Sequence, residues 1–214
     1  MWPSKKPPTS LPAPPPRMNL PNKLTVSRFA LTLGFLAVMF SGIPYRETLA
    51  LAFFVAGGIT DFLDGYFARS RRLITNFGIL MDPLADKILV CSAFITFVGL
   101  NWMPAWMVIL VVARELAITG LRMLAASKNV VLAAEGYGKH KTISQIAAII
   151  AILVLHSYNE WGSFGRVVFG TKIVVDQPWT AWFTPLAIWV SVALTALSGW
   201  LYLWRNRRIY LDDM

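Results

Sequence analysis

Apolar residues run in dense blocks from Val26 almost to the end of the 214-residue chain, interrupted where glycine, proline and charge gather. A helix needs about 20 residues to cross a bilayer, and the blocks predict six such helices, at 29–40, 48–68, 78–100, 102–126, 142–158 and 179–204. The first is short for a crossing, and residues 22–28, ahead of it, read as an interfacial amphipathic turn leading into it. Gly42-Ile43-Pro44 and Met103-Pro104 mark tight turns between blocks. Residues 167–175 read as a short external strand or hairpin, with coil as the alternative, and no internal repeat is evident.

Composition turns this pattern into a membrane assignment. The chain is 56% hydrophobic and 14% charged, against about a quarter charged in soluble domains, and its mean hydropathy is +0.56. The expected fold is an all-α integral membrane protein of six transmembrane helices with an N-terminal interfacial amphipathic segment. Residues 1–21 hold eight of the 13 prolines, with Lys5, Lys6 and Arg17, and lack the apolar core of a signal peptide. They read as a disordered cytoplasmic tail, 22–208 as the membrane domain and 209–214 as a cytoplasmic C-terminal tail.

The net charge of +9, from 20 Lys and Arg against 11 acids, is read as cytoplasmic loops facing anionic lipid, with no nucleic-acid partner. One set of segments carries the N-terminal tail, Arg69, Arg71, Arg72, Lys128, Lys139, Lys141, Arg205, Arg207 and Arg208, whereas the opposite loops carry only Arg46, Arg166 and Lys172. Both termini are therefore expected on the cytoplasmic side, of a bacterial-type inner membrane or an organellar membrane of the same sidedness. Tryptophans at 102, 106, 161, 179, 182, 200 and 204 fall near the span ends, where indole rings prefer the interface. The single Cys91 excludes an internal disulfide and a cysteine-cluster metal site. His140 and His156 read as bystanders.

The acids change the picture more. Asp61, Asp64, Asp82 and Asp86 fall within 26 residues and inside two otherwise apolar blocks. An intramembrane Asp costs about 2.5–3.5 kcal/mol on insertion scales, so four of them need partners or a function. Asp61 and Asp64 stand i, i+3, and Asp82 and Asp86 i, i+4, so each pair lies on one helix face. A loop of about ten residues would make the two helices antiparallel neighbours and bring the pairs to similar depth near the cytoplasmic surface. Four facing carboxylates repel unless a cation sits between them, and hard oxygen ligands suit Mg²⁺ or Mn²⁺. The alternative is structural pairing with Arg69, Arg71, Arg72 and Lys87, which accounts for one or two acids more readily than for four. Gly57, Gly58, Gly65 and Ala68 would let a bulky ligand approach the second helix, or simply let helices pack.

Read as one string, Asp61-x2-Asp64-Gly65-x2-Ala68-Arg69-x8-Gly78-x3-Asp82-x3-Asp86 resembles the signature of the CDP-alcohol phosphatidyltransferase family at every fixed position. The resemblance implies six membrane helices, a homodimer, and transfer of a phosphatidyl group from a CDP-linked lipid to an alcohol with release of CMP. It implies Asp61, Asp64 and Asp82 as metal ligands, and Asp86 as ligand of a second ion and general base. It also implies Gly65, Ala68 and Arg69 as the cytidine nucleotide site, and two Mg²⁺ or Mn²⁺ ions as cofactors.

The acceptor is read from a second, basic cluster. Arg114-Glu115 and Arg122 share nearly one face of the fourth block, and Lys139 and Lys141 follow Glu135-Gly136-Tyr137-Gly138 at the start of the fifth. So much positive charge suits a phosphorylated acceptor better than a neutral one. The bland alternative is positive-inside charge, with Arg114 and Glu115 neutralising each other. Asn19-Leu20-Pro21-Asn22-Lys23-Leu24-Thr25, Met81-Asp82-Pro83-Leu84-Ala85-Asp86-Lys87, Ala113-Arg114-Glu115, Thr119-Gly120-Leu121-Arg122 and Gly138-Lys139-His140-Lys141-Thr142 are similar to the branch of the family whose acceptor is sn-glycerol 3-phosphate. On that resemblance CDP-diacylglycerol is the donor, and Arg114, Lys139 and Lys141 bind the acceptor phosphate. The cardiolipin synthases of the family, which share the Asp-Pro-Leu-Ala-Asp-Lys segment, are the nearest alternative. A metal-ion transporter would explain buried carboxylates but not Gly65, Ala68 and Arg69 at these spacings.

Overall fold

The computed structural model describes residues 20–71, 76–128, 130, 132, 137–174 and 176–211, with side chains at all of these except 20–24, 64–71, 76–83, 86, 137–139, 173–174, 208 and 211. The described chain is all-α apart from one hairpin. Six long helices dominate: α1 (Leu20–Phe40), α2 (Arg46–Arg71), α3 (Asn76–Gly99), α4 (Ala105–Ser127), α5 (Tyr137–Ser157) and α7 (Trp179–Arg205). A 3-10 turn at Tyr158–Trp161 leads into the short α6 (Gly162–Val168). The hairpin pairs β1 (Lys172–Val174) with β2 (Gln177–Pro178), and α8 (Arg207–Leu211) closes the chain.

Each long helix buries a stripe at helical spacing. On α1 the stripe is Thr25, Arg28, Thr32, Phe35 and Met39, polar at its start and apolar at its end. On α4 it runs through Met107, Val111, Glu115, Ile118, Leu121 and Ala125. On α7, Thr184, Ile188, Ser191, Thr195, Ser198 and Tyr202 follow the same rule. Small hydroxylated residues there let α7 lie close to α5, where Thr184 Oγ1 donates to the Ala151 carbonyl at 3.2 Å and Gln145 Nε2 donates to Thr195 Oγ1 at 3.1 Å.

The apolar halves of these stripes meet in one core. Phe35 packs on Phe54 with ring centroids 6.4 Å apart, and Phe94 meets Phe97 edge-on at 6.5 Å. Met107, Val111, Ile149, Ile152, Leu153 and Val192 complete this core. It occupies the end of the bundle nearest the 41–45 and 100–104 turns, which are closed by left-handed residues Tyr45 (φ 62°) and Asn101 (φ 60°). His156 belongs to this end, stacked on Trp102 at 3.7 Å with Nδ1 3.0 Å from the Ile152 carbonyl.

The outer surface is apolar as well. Leu33, Ile109, Leu116, Leu186 and Trp200 are each more than 60% exposed. Among the described residues two helical stretches, His140–Val168 and Trp179–Arg205, are long and apolar enough to cross a membrane, and 25–40 and 87–99 are shorter apolar segments. In α4 the apolar run is interrupted by Arg114, Glu115 and Arg122.

Several sequence expectations shift. The interfacial turn at 22–28 is instead helix continuous with the apolar run, so α1 has 21 residues. Arg28 is 2% exposed, on the packed face of α1. The link between α2 and α3 is residues 72–75, not about ten, because α2 continues to Arg71. α1 packs along both α2 and α3, which themselves meet where Leu89 fills the notch at Gly57; a Cβ there would lie 2.5 Å from Leu89 Cδ2. Gly57 thus serves helix packing, whereas Gly58 faces open space. Of 167–175, residues 167–168 end α6 and 172–174 form β1, while 175 lies outside the described residues. Residues 1–19 of the expected tail lie outside the described residues. At the other end, Lys128 Nζ donates to the Ile209 carbonyl at 2.8 Å, and Ile209 and Tyr210 pack near Leu121 and Tyr202.

Candidate active site

The polar halves of the buried stripes converge at the opposite end of the bundle, where α2 and α4 approach their C-termini and α3 and α5 begin. They surround a cavity of about 750 Å³. Its lining includes Asp61 of the aspartate motif and the two residues of the expected phosphate clamp whose side chains are described, Arg114 and Lys141. Arg28, Lys87 and Arg122 add three cations, and Glu115 adds a second carboxylate. The α2 and α5 walls contribute an apolar side through Val55, Ile59, Ile146 and Ile150.

Asp61 is half exposed into this space, and its Oδ1 lies 2.7 Å from Arg28 Nη1. A buried guanidinium opposite a carboxylate offsets the cost of burying either. Gly58, one turn before Asp61, also lines the cavity.

On the far wall Arg114 is held from three directions. Its Nη1 donates to Glu115 Oε1 at 3.3 Å and its Nη2 to Ser198 Oγ at 3.3 Å. Its stem lies in a notch at Gly199, where a Cβ would stand 2.6 Å from Cγ. Among the described residues its buried Nε has no hydrogen-bond partner, which leaves a donor in the cavity wall. Lys141, 4% exposed, donates from Nζ to the same Glu115 oxygen. Lys87 Nζ donates to Thr119 Oγ1, which in turn donates to the Glu115 carbonyl at 2.7 Å. Arg122, exposed and two turns further along α4, has Nε 3.4 Å from the Tyr202 hydroxyl and its guanidinium 5.7 Å from that ring's centroid.

The side chains of Asp64, Asp82, Asp86, Arg69 and Lys139 lie outside the described ones, as do Gly65 and Ala68 beyond their backbone in α2. Position 86 stands one turn before Leu89 and Val90, which line the cavity. Among the described residues no three His, Cys, Asp or Glu side chains are grouped to hold a metal ion. The donor chemistry nevertheless fits a hard divalent ion, since the described acid of the motif is a carboxylate opening onto the cavity.

Arg28 and the pairing of Glu115 with Lys141 are what sequence reading missed. The signal was present: Arg28, Glu115 and Lys141 each occupy a position on the buried stripe of their helix, where a charged residue is out of place unless it has a partner.

Comparison with known proteins shows the family. The family model described as CDP-alcohol phosphatidyltransferase matches residues 18–197. A Bacillus subtilis protein named CDP-diacylglycerol–glycerol-3-phosphate 3-phosphatidyltransferase is 39% identical over 200 residues, covering 88% of this chain and 95% of its own length. Proteins of the same name from Cereibacter sphaeroides and Rickettsia bellii are 32% and 33% identical, covering 91% and 86% of this chain and 98% and 93% of their own.

Proposed function

The chain belongs to the CDP-alcohol phosphatidyltransferase family, and from that premise we propose that it transfers the phosphatidyl group of CDP-diacylglycerol to sn-glycerol 3-phosphate. The products are phosphatidylglycerophosphate and CMP, and the enzyme serves anionic phospholipid synthesis. The observation that carries this reading is that one cavity holds both Asp61, from the donor motif, and the Arg114–Lys141 cluster suited to a phosphate.

In this reading Asp61, Asp64 and Asp82 bind one divalent ion, Mg²⁺ or Mn²⁺, and Asp86 a second. Such ions, when bound, neutralise the diphosphate and the departing CMP. Gly65, Ala68 and Arg69 hold the cytidine nucleotide. Arg114, Lys139 and Lys141 fix the acceptor phosphate by charge-assisted hydrogen bonds, which leaves its primary hydroxyl free to turn toward the donor. Asp86 takes the hydroxyl proton as the oxygen bonds to the phosphatidyl phosphorus and the bond from phosphorus to the CMP oxygen breaks. The apolar wall of Val55, Ile59, Ile146 and Ile150 suits the donor's acyl chains.

The six long helices cross the membrane, with the start of α1 at the interface, and both termini and the cavity face the cytoplasm of a bacterial inner membrane. The protein works as a homodimer. Residues 22–208 form the membrane domain, which Leu20 and Pro21 join as the start of α1 and residues 209–211 as the end of α8.

The test is incorporation of labelled glycerol 3-phosphate into lipid with one CMP released per label, in micelles containing CDP-diacylglycerol. Chelation of divalent ions abolishes both signals, and Asp61→Asn lowers them by about 10²-fold or more. Near-normal, chelator-insensitive turnover in Asp61→Asn contradicts the metal assignment.

A further inference from the structure

We infer that Glu115 is a positioning residue of the acceptor site, holding the Lys141 ammonium at the cavity wall beside Arg114; this rests on the function proposed above. Glu115 lies on the packed face of α4 and is 6% exposed. Neither its burial nor its place between two cations is explained by positive-inside charge, which needs no acid at that position.

The two cations depend on it unequally. Arg114 is anchored without Glu115, by its stem in the Gly199 notch and by Nη2 on Ser198 Oγ at 3.3 Å. Among the described residues Lys141 has no comparable anchor. Its long, flexible stem reaches from α5 across to α4, and among the described residues its ammonium is bonded to Glu115 Oε1. A lysine ammonium is a point charge on four rotatable carbons, so its location in a site is set by whatever holds it. The Glu115 carboxylate is itself held, since its Oε1 also accepts from Arg114 Nη1 at 3.3 Å. The carboxylate therefore preorganises Lys141 for a phosphate, leaving the other ammonium hydrogens and the buried Arg114 Nε as donors to it.

The experiment is steady-state kinetics on the full chain in micelles, with glycerol 3-phosphate and CDP-diacylglycerol each varied. Glu115→Gln keeps the shape and removes the charge. It is expected to raise KM for glycerol 3-phosphate about fivefold, with kcat within about twofold and KM for the CDP-lipid unchanged. The second arm compares Lys141→Gln with the Glu115→Gln, Lys141→Gln double variant. If Glu115 acts through Lys141, the two share one acceptor KM. That arm also decides the matter if Glu115→Gln alone does not fold, because the double variant leaves no buried charge unpaired between the two positions.

An unchanged or lowered acceptor KM in folded Glu115→Gln overturns the inference, the latter marking Glu115 as a competitor of the phosphate. Equal losses in kcat and in donor KM reduce it to a helix-packing role, and a further rise of acceptor KM in the double variant over Lys141→Gln overturns it as well. Failure of the functional reading is seen separately, as wild-type protein that forms no phosphatidylglycerophosphate. The same comparisons then apply with whichever acceptor the wild type uses.

Discussion

Asp61, Arg114 and Lys141 carry charge into the walls of an otherwise apolar bundle, and each is expected to be expensive to alter in its own way. Lys141→Ala removes a charge-assisted hydrogen bond to phosphate worth about 1.5–3 kcal/mol, so KM for glycerol 3-phosphate rises about tenfold or more while CDP-lipid binding holds. Arg114→Lys damages the same parameter, because a point charge cannot reproduce a two-pronged guanidinium. Initial-rate measurements on correctly inserted variants check both; loss of CDP-lipid binding with an unaltered acceptor KM assigns the cluster to the donor instead. Asp86→Asn, by contrast, is expected to lower kcat by about 10²–10⁴-fold, with donor affinity much less affected than in Asp61→Asn. Equal loss of nucleotide binding in the two variants reduces Asp86 to a ligand. Asp61, Arg114 and Lys141, which line one cavity, stood out in the sequence because charge is rare in these blocks. Arg28 and the pairing of Glu115 with Lys141 were not. Arg28 sits beside polar neighbours that imitate an interfacial turn, and Glu115 stands next to Arg114, which suggests simple neutralisation, whereas its second partner comes from another helix.

Among the elements, helix existence could be read from the apolar blocks, and the observed bounds of α7 and α3 fall within two residues of the expected ones. The limits of α1 and the length of the α2–α3 link could not. Charged and polar residues at helix ends weaken the apolar signal although the backbone there continues as helix: α2 extends through Arg69 to Arg71, and α1 reaches back to Leu20. Glycines divide in the same way, because what a glycine admits is decided by the neighbouring helix. Gly199 on α7 admits the Arg114 stem from α4, and a Cβ there would stand 2.6 Å from Cγ. Gly199→Ala should therefore displace Arg114 and raise KM for glycerol 3-phosphate about three- to tenfold, by the loss of part of a charge-assisted bond. Gly120, with nothing within 4 Å of its Cβ position, is the control. Gly120→Ala leaves kinetics unchanged and favours α4 by up to about 1 kcal/mol. Thermal unfolding alongside kinetics separates the two; identical acceptor KM in both variants contradicts the notch.

The whole molecule is divided along its length, with Phe35, Phe54, Phe94 and Phe97 packed at one end and Arg28, Asp61, Lys87, Arg114, Glu115 and Lys141 around a cavity at the other. That division follows from the order of residues along each helix: α1 buries Thr25 and Arg28 before Phe35 and Met39, and α5 buries Lys141 and Gln145 before Ile149 and Ile152. Antiparallel neighbours carry the pattern reversed, so the polar ends coincide. Charge asymmetry between the loops already pointed to that end in the sequence, but the cavity itself depends on five helices meeting and has no local signature. In the proposed function its cationic wall selects a small phosphorylated acceptor over a neutral alcohol, and a lipid acceptor bearing a phosphodiester is the nearest competitor. The most direct measurement offers the purified protein CDP-diacylglycerol with equal glycerol 3-phosphate and phosphatidylglycerol in one micelle preparation with divalent ions, and identifies the lipid product by mass. The account predicts phosphatidylglycerophosphate, with CMP released in equal amount; cardiolipin as the main product would contradict it.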